Sequence, residues 1–103
     1  MNDGSTPSTE SSIRLDVRVF GGLRELLGSR SLEVRLPGRS TVAALLDSLE
    51  RDHRELVAAL RRGIGEGYLN VLVNGHNAHF RQGLATALSD GDAVAFLPPI
   101  GGG

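Results

Sequence analysis

The stretch Leu97-Pro98-Pro99-Ile100-Gly101-Gly102-Gly103 holds the residues whose types and spacing could do chemistry. Pro98 and Pro99 fix φ in the extended region and supply no N–H, so a strand over Ala93 to Leu97 must stop there and the chain must leave the sheet extended. Beyond Ile100, three glycines carry no Cβ and fit a slot too narrow for any other residue. The group that such a lead presents is the Gly103 α-carboxylate, a poor electrophile with no steric cover that an activating partner could make reactive. On this reading the Gly103 carboxylate is the tip, Pro98, Pro99, Ile100, Gly101 and Gly102 are the flexible lead that carries it, and the chain is a substrate for another enzyme's active site. A glycine run alone is ordinary terminal disorder; the apolar strand and Pro-Pro before it argue for more.

The rest of the composition supplies no competing chemistry. Cysteine is absent, which removes disulfides, a thiolate nucleophile and Cys-based metal sites. Lysine is absent too, all eleven basic side chains being arginine, and a guanidinium stays protonated and does not attack an activated acyl group. His76 and His79 stand at an offset of three, which in an extended segment puts them on opposite faces, and no third ligand is near, so no metal site is read there. Gly63-Ile64-Gly65-Glu66-Gly67 lacks the Lys-Ser/Thr of a phosphate loop and reads as a connector. No general acid, base or nucleophile set is visible, so the chain is not read as an enzyme and has no catalytic residues of its own. A net charge of -1 argues against nucleic acid as a partner. No apolar run approaches the ~20 residues of a membrane span, and no signal-peptide layout opens the chain, which points to a cytoplasmic protein.

The 103 residues fit one domain with one core. Residues 1–12 are polar and read as a disordered leader, residues 13–97 as the domain, and 98–103 as the tail. Ile13, Leu15, Val17 and Val19 alternate with Arg14, Asp16, Arg18 and Phe20, a period of two that buries the first set and turns Phe20 outward. Leu23 to Leu27 predicts a short helical turn closed by Gly28, and Ser31 to Leu36 a second strand. Ser40 or Thr41 caps the main helix, whose Val42, Leu45, Leu46 and Leu49 form one stripe. A second helix over His53 to Arg62 ends at Gly63. Leu69 to Val73 predicts a third strand, Asn74-Gly75 a tight turn, and Ala78 to Phe80 a short strand pairing back. In the last strand Val94 and Phe96 share the core face, leaving Leu97 on the other. The outcome is an α+β domain with a mixed sheet, one main helix packed across one face, and short extra helices, the ubiquitin-like β-grasp arrangement.

With element order and tail in hand, the sequence resembles the ubiquitin-like sulfur carriers, the MoaD/ThiS family, and in particular the small subunit of molybdopterin synthase. The resemblance spans the domain. It is carried by Phe20 with Arg24-Glu25-Leu26-Leu27-Gly28, by Val73-Asn74-Gly75, and above all by Leu88 with Asp90 through Ile100 before Gly102-Gly103. Gly101 stands where the family varies, usually Ala, Ser or Thr, so the resemblance implies that the reacting pair is Gly102 and Gly103. Residues 78–88 are longer than in the common molybdopterin subunit and look like the branch that includes carriers for cysteine biosynthesis, and the leader is extra.

The resemblance implies that an E1-like adenylyltransferase uses ATP to adenylate the Gly103 carboxylate, that a persulfide converts it to a thiocarboxylate, and that no cofactor is bound by the carrier itself. It implies as client a sulfur-accepting enzyme, either the molybdopterin synthase large subunit or a cysteine-synthase-like enzyme, and as a further partner a tail-processing metalloprotease. It also implies that first and last strands are neighbours, so that the outward-facing Phe20 and Leu97 form one patch at the base of the tail where a partner grips. Two other classes compete: a ubiquitin-like modifier joined through Gly103 to target lysines, and a plain interaction module with an idle tail.

Overall fold

A computed structural model describes residues 12–78 and 82–97; the expectations for the leader up to residue 11, for His79 and Phe80, and for the tail at 98–103 fall outside the described residues. Five strands form one mixed sheet: β1 Ser12–Val19, β2 Ser31–Pro37, β3 Asn70–Val73, β4 His76–Asn77 and β5 Ala93–Leu97, in the spatial order β2-β1-β5-β3-β4. β5 is central, parallel to β1 on one side and antiparallel to β3 on the other. Helices α1 Leu23–Leu27, α2 Val42–Glu50 and α3 Arg54–Gly65 complete the ubiquitin-like β-grasp.

Alternation decides the faces. Leu15, Val17 and Val19 are buried along β1, and Val94 and Phe96 are fully buried on β5, while the residues between them lie on the open face. Thr41 rather than Ser40 caps α2: its backbone is extended and its Oγ1 accepts from the Ala44 N–H at 3.2 Å. Ser40 instead donates from Oγ to the Pro37 carbonyl at 2.6 Å. Val42, Leu45, Leu46 and Leu49 of α2 and Leu56, Val57 and Leu60 of α3 close the core against the sheet.

Two expectations are corrected. The second helix does not end at Gly63 but runs to Gly65, taking in part of the glycine-rich connector. Gly63 is required inside the helix for space: a Cβ there would lie 2.9 Å from the Leu69 Cβ, so its absence lets β3 begin close against the helix end. The short strand expected at Ala78 to Phe80 lies at His76–Asn77. Asn74 and Gly75 both take positive φ, 53° and 86°, and this two-residue turn sets His76 directly opposite Val73. Ala78 has already left the ladder for the core, where it is 2% exposed.

The start of β5 is tied from both sides. Asp92 accepts from the Asn74 Nδ2 at 2.8 Å and from the Ser89 N–H at 2.8 Å. Asn74 Oδ1 accepts from the Ala93 N–H at 2.9 Å, and Asp90 accepts from the Arg14 N–H at 2.8 Å. These bonds lock β5 to β1 and β3 at the end of the strand away from Leu97. The strand therefore exits its far end from a fixed base.

Candidate functional site

The last pair of the β1–β5 ladder is Val19 with Phe96. Phe20 follows the end of β1 by one residue and Leu97 is the last residue of β5, so each stands one residue past that pair. Phe20 is 36% exposed, and Leu97, paired with Asn70 on β3, is half-buried on the open face. Neither belongs to the core cluster. Ala93 and Ala95 of β5 and Leu72 of β3 are also half-buried on that face, Leu72 pairing with Ala95, so a strip of small and apolar side chains runs from Phe20 across the middle of the sheet.

The β1–β2 half of the open face is charged. Arg18 Nε lies 2.9 Å from Asp16, and Glu33 sits 3.8 Å from Arg14 and 3.9 Å from Arg35. These pairs are exposed and worth little individually. They make that half poor at burying apolar surface, which leaves the β5–β3 half as the more apolar part of the open face.

The turn after β1 is built to hold Phe20 outward. Gly21 takes a φ of 61°, and the Leu23 and Arg24 N–H groups donate to the Phe20 and Gly21 carbonyls at 3.3 and 3.1 Å, which starts α1. Gly28, at φ 89°, closes α1 by donating to the Arg24 carbonyl at 2.8 Å. The Arg24 guanidinium lies over the Phe20 ring, 5.3 Å from its centroid, and its Nε donates to the Val19 carbonyl at 3.2 Å. Sequence reasoning missed this stacking; the signal for it was an Arg four residues after an aromatic, across the Gly21-Gly22 turn that starts α1. Also missed was a hollow of about 250 Å³ beside Phe20, lined by Arg18, Val19, Phe20, Arg24, Arg30 and Ser31.

The glycine tail, Pro98 to Gly103, lies outside the described residues, so its residues are placed only by the strand that precedes them. His76 is exposed on β4, and among the described residues no three His, Cys, Asp or Glu side chains are grouped to hold a metal. Nor is any helix among them long and apolar enough to cross a membrane.

Fold and site together define a small β-grasp protein whose central strand ends at Leu97, on an open face with an apolar β5–β3 half. The ThiS family model matches residues 17–103, and the chain belongs to the ThiS family. It is 39% identical over 92 residues to small archaeal modifier protein 3 of Haloferax volcanii, covering 88% of this chain and 100% of that protein. It is 34% identical over 67 residues to the sulfur carrier protein CysO of Mycobacterium tuberculosis, covering 61% of this chain and 72% of that one. A chain in the crystal structure of the Amycolatopsis orientalis BexX/CysO complex superposes with a TM-score of 0.70 at 29% identity, covering 86% of this chain and 99% of that one. The chain thus belongs to a family whose members include proteins named as a small modifier and as a sulfur carrier.

Proposed function

We propose that this chain is a sulfur carrier acting in the cytoplasm, activated at Gly103. An E1-like enzyme joins the Gly103 carboxylate oxygen to the α-phosphorus of ATP, releasing pyrophosphate. A persulfide then attacks the acyl carbon through its outer sulfur and displaces AMP, and a thiol attacks the inner sulfur of the resulting acyl disulfide, breaking the S–S bond to release the thiocarboxylate and leave a new disulfide. The sulfur passes to molybdopterin synthesis or to a related thiolation such as cysteine synthesis. The observation that carries the reading is β5: a strand held on both sides and ending at Leu97, immediately before the glycine lead in the sequence. Similarity to a protein named as a sulfur carrier supports it. The test is the intact mass of the native protein from sulfur-replete cells, where an exchange of one oxygen for sulfur is expected; an unmodified mass under those conditions refutes the carrier reading.

Similarity to a protein named as a modifier favours a second reading, conjugation through Gly103 to lysines of other proteins. The same mass measurement separates the two, because conjugation yields lysine-linked adducts. With no lysine among the 103 residues, those adducts would not extend through this chain's own side chains.

Phe20 and Leu97 are the docking patch in this scheme, and they serve both the activating enzyme and the sulfur-accepting client. Burying an exposed large apolar side chain supplies roughly 1.5–3 kcal/mol, so Phe20→Ala is expected to weaken the activating enzyme's binding by about tenfold or more. Leu97→Ala should cost less, since that side chain is already half-buried. Competition between the two partners for the carrier is expected in a titration. Wild-type affinity in both folded variants removes the patch from the mechanism.

A further inference from the structure

The hollow beside Phe20 is bounded by three arginines from separate parts of the chain: Arg18 on β1, Arg24 on α1, and Arg30 just before β2. Backbone bonds fix the arrangement. The Val19 N–H donates to the Arg30 carbonyl at 3.1 Å, which ties the residue before β2 to the end of β1, and Arg24 is held by its bond to the Val19 carbonyl. Their charges are incompletely answered. Arg18 is paired with Asp16, but Arg24 meets only a neutral carbonyl and an aromatic ring, and no ion pair is recorded for Arg30 among the described residues. Glu25, one residue along α1 from Arg24, is exposed and does not line the hollow. A chain of net charge -1 thus gathers positive charge at one point, next to the aromatic side chain at the base of its tail.

We propose that this hollow is a seat for a carboxylate side chain of the protein that grips the base of the tail, so that the activating enzyme sets an acidic residue between Arg24 and Arg30 while an apolar group covers Phe20. The inference rests on the carrier reading above and names the chemistry of the partner surface. A guanidinium fork matches a carboxylate in two-point geometry. Arg24, already oriented by the ring and the carbonyl, loses little freedom on pairing. A nucleic acid would call for a longer basic track, and the open face beyond Arg18 carries Asp16 and Glu33 instead. The seat also orients: apolar contact at Phe20 and Leu97 alone permits rotation of the partner, whereas a charged contact at one side fixes it.

The experiment is a titration of the full chain with its cognate activating enzyme at low and at high salt, alongside Arg30→Glu, Arg30→Lys and Arg51→Glu. Arg51 is exposed at the end of α2, away from the hollow, and controls for net charge. Arg30→Glu is expected to raise Kd by about tenfold or more and to flatten its salt dependence. Arg30→Lys should fall between wild type and Arg30→Glu, since it keeps the charge and loses the two-point fork, and Arg51→Glu should stay within about twofold of wild type, because it lies outside the seat. Thermal melting verifies that the variants fold, and wild-type salt dependence reads the same contact without a substitution. Wild-type affinity in folded Arg30→Glu overturns the seat, as does equal weakening by Arg51→Glu or a salt-independent wild-type affinity. Tight binding of a single-stranded oligonucleotide, lost in Arg30→Glu, would reassign the hollow to nucleic acid. If wild type is adenylated normally while Arg30→Glu binds unchanged, only the seat is lost; if wild type is neither bound nor adenylated, the carrier reading fails with it.

Discussion

Phe96→Ala is expected to destabilise the domain by about 3–5 kcal/mol, the range for truncating a buried aromatic side chain. Phe96 is fully buried on the central strand, in register with Val19 on one side and Val71 on the other, and all three side chains point to the helix layer. Removing the ring opens a cavity where β1, β3 and β5 meet the helices. A strand in the middle of a sheet cannot shift to fill it without breaking both ladders. A small domain is stable by roughly 5–15 kcal/mol in total, so this one substitution should remove a large share. Urea unfolding should show a lower midpoint with an unchanged slope. Leu97→Ala is the internal comparison: one residue along, on the open face, it should cost clearly less. Equal costs at the two positions, or less than about 1 kcal/mol at Phe96, contradict the assignment of faces.

That comparison also shows what the sequence makes legible. Strand faces were readable because one residue's slip reverses every side chain, so Ile13, Leu15, Val17 and Val19 admit only one inward set. The α2 stripe was readable for the same reason at helical period. Boundaries were harder wherever a local rule met a tertiary constraint. Gly63 looks like a helix stop, yet it is the place where a helix passes Leu69 too closely for a side chain. The Asn74-Gly75 turn was evident, but its tightness brings the return strand forward to His76, and the pull of the core on Ala78 is not visible locally. The arginine hollow was out of reach altogether. Residues 18, 24 and 30 come together only because the turn at Gly21, the single helical turn of α1 and the Val19–Arg30 backbone bond fold the chain back on itself. The parallel pairing of β1 with β5 was legible only through the family resemblance, since strand neighbours far apart in sequence leave no local pattern.

Gly103→Ala is expected to lower the rate of adenylation by the activating enzyme by about a hundredfold or more, because displacing a reacting carboxylate by the width of a methyl group spoils in-line attack on the α-phosphorus. The same substitution should leave the melting temperature unchanged, since every core residue among those described lies at or before Phe96. Gly102→Ala should behave alike, its Cβ meeting the walls of the same slot. Gly101→Ala is the discriminating control: if the reacting pair is Gly102 and Gly103, the slot should begin after Gly101 and activation should persist. The measurement is ATP–pyrophosphate exchange with the cognate enzyme at saturating carrier, which reports formation of the acyl adenylate and not the later sulfur transfer. Loss at Gly101 equal to that at Gly103 would mean that the tail is gripped along its length, not threaded at its tip. Normal exchange by Gly103→Ala would mean that a side chain at the reacting carbon is no obstacle, and the case for the terminal Gly-Gly as the activated pair would collapse, leaving β5 and its Phe20–Leu97 patch as an interaction surface with an idle extension.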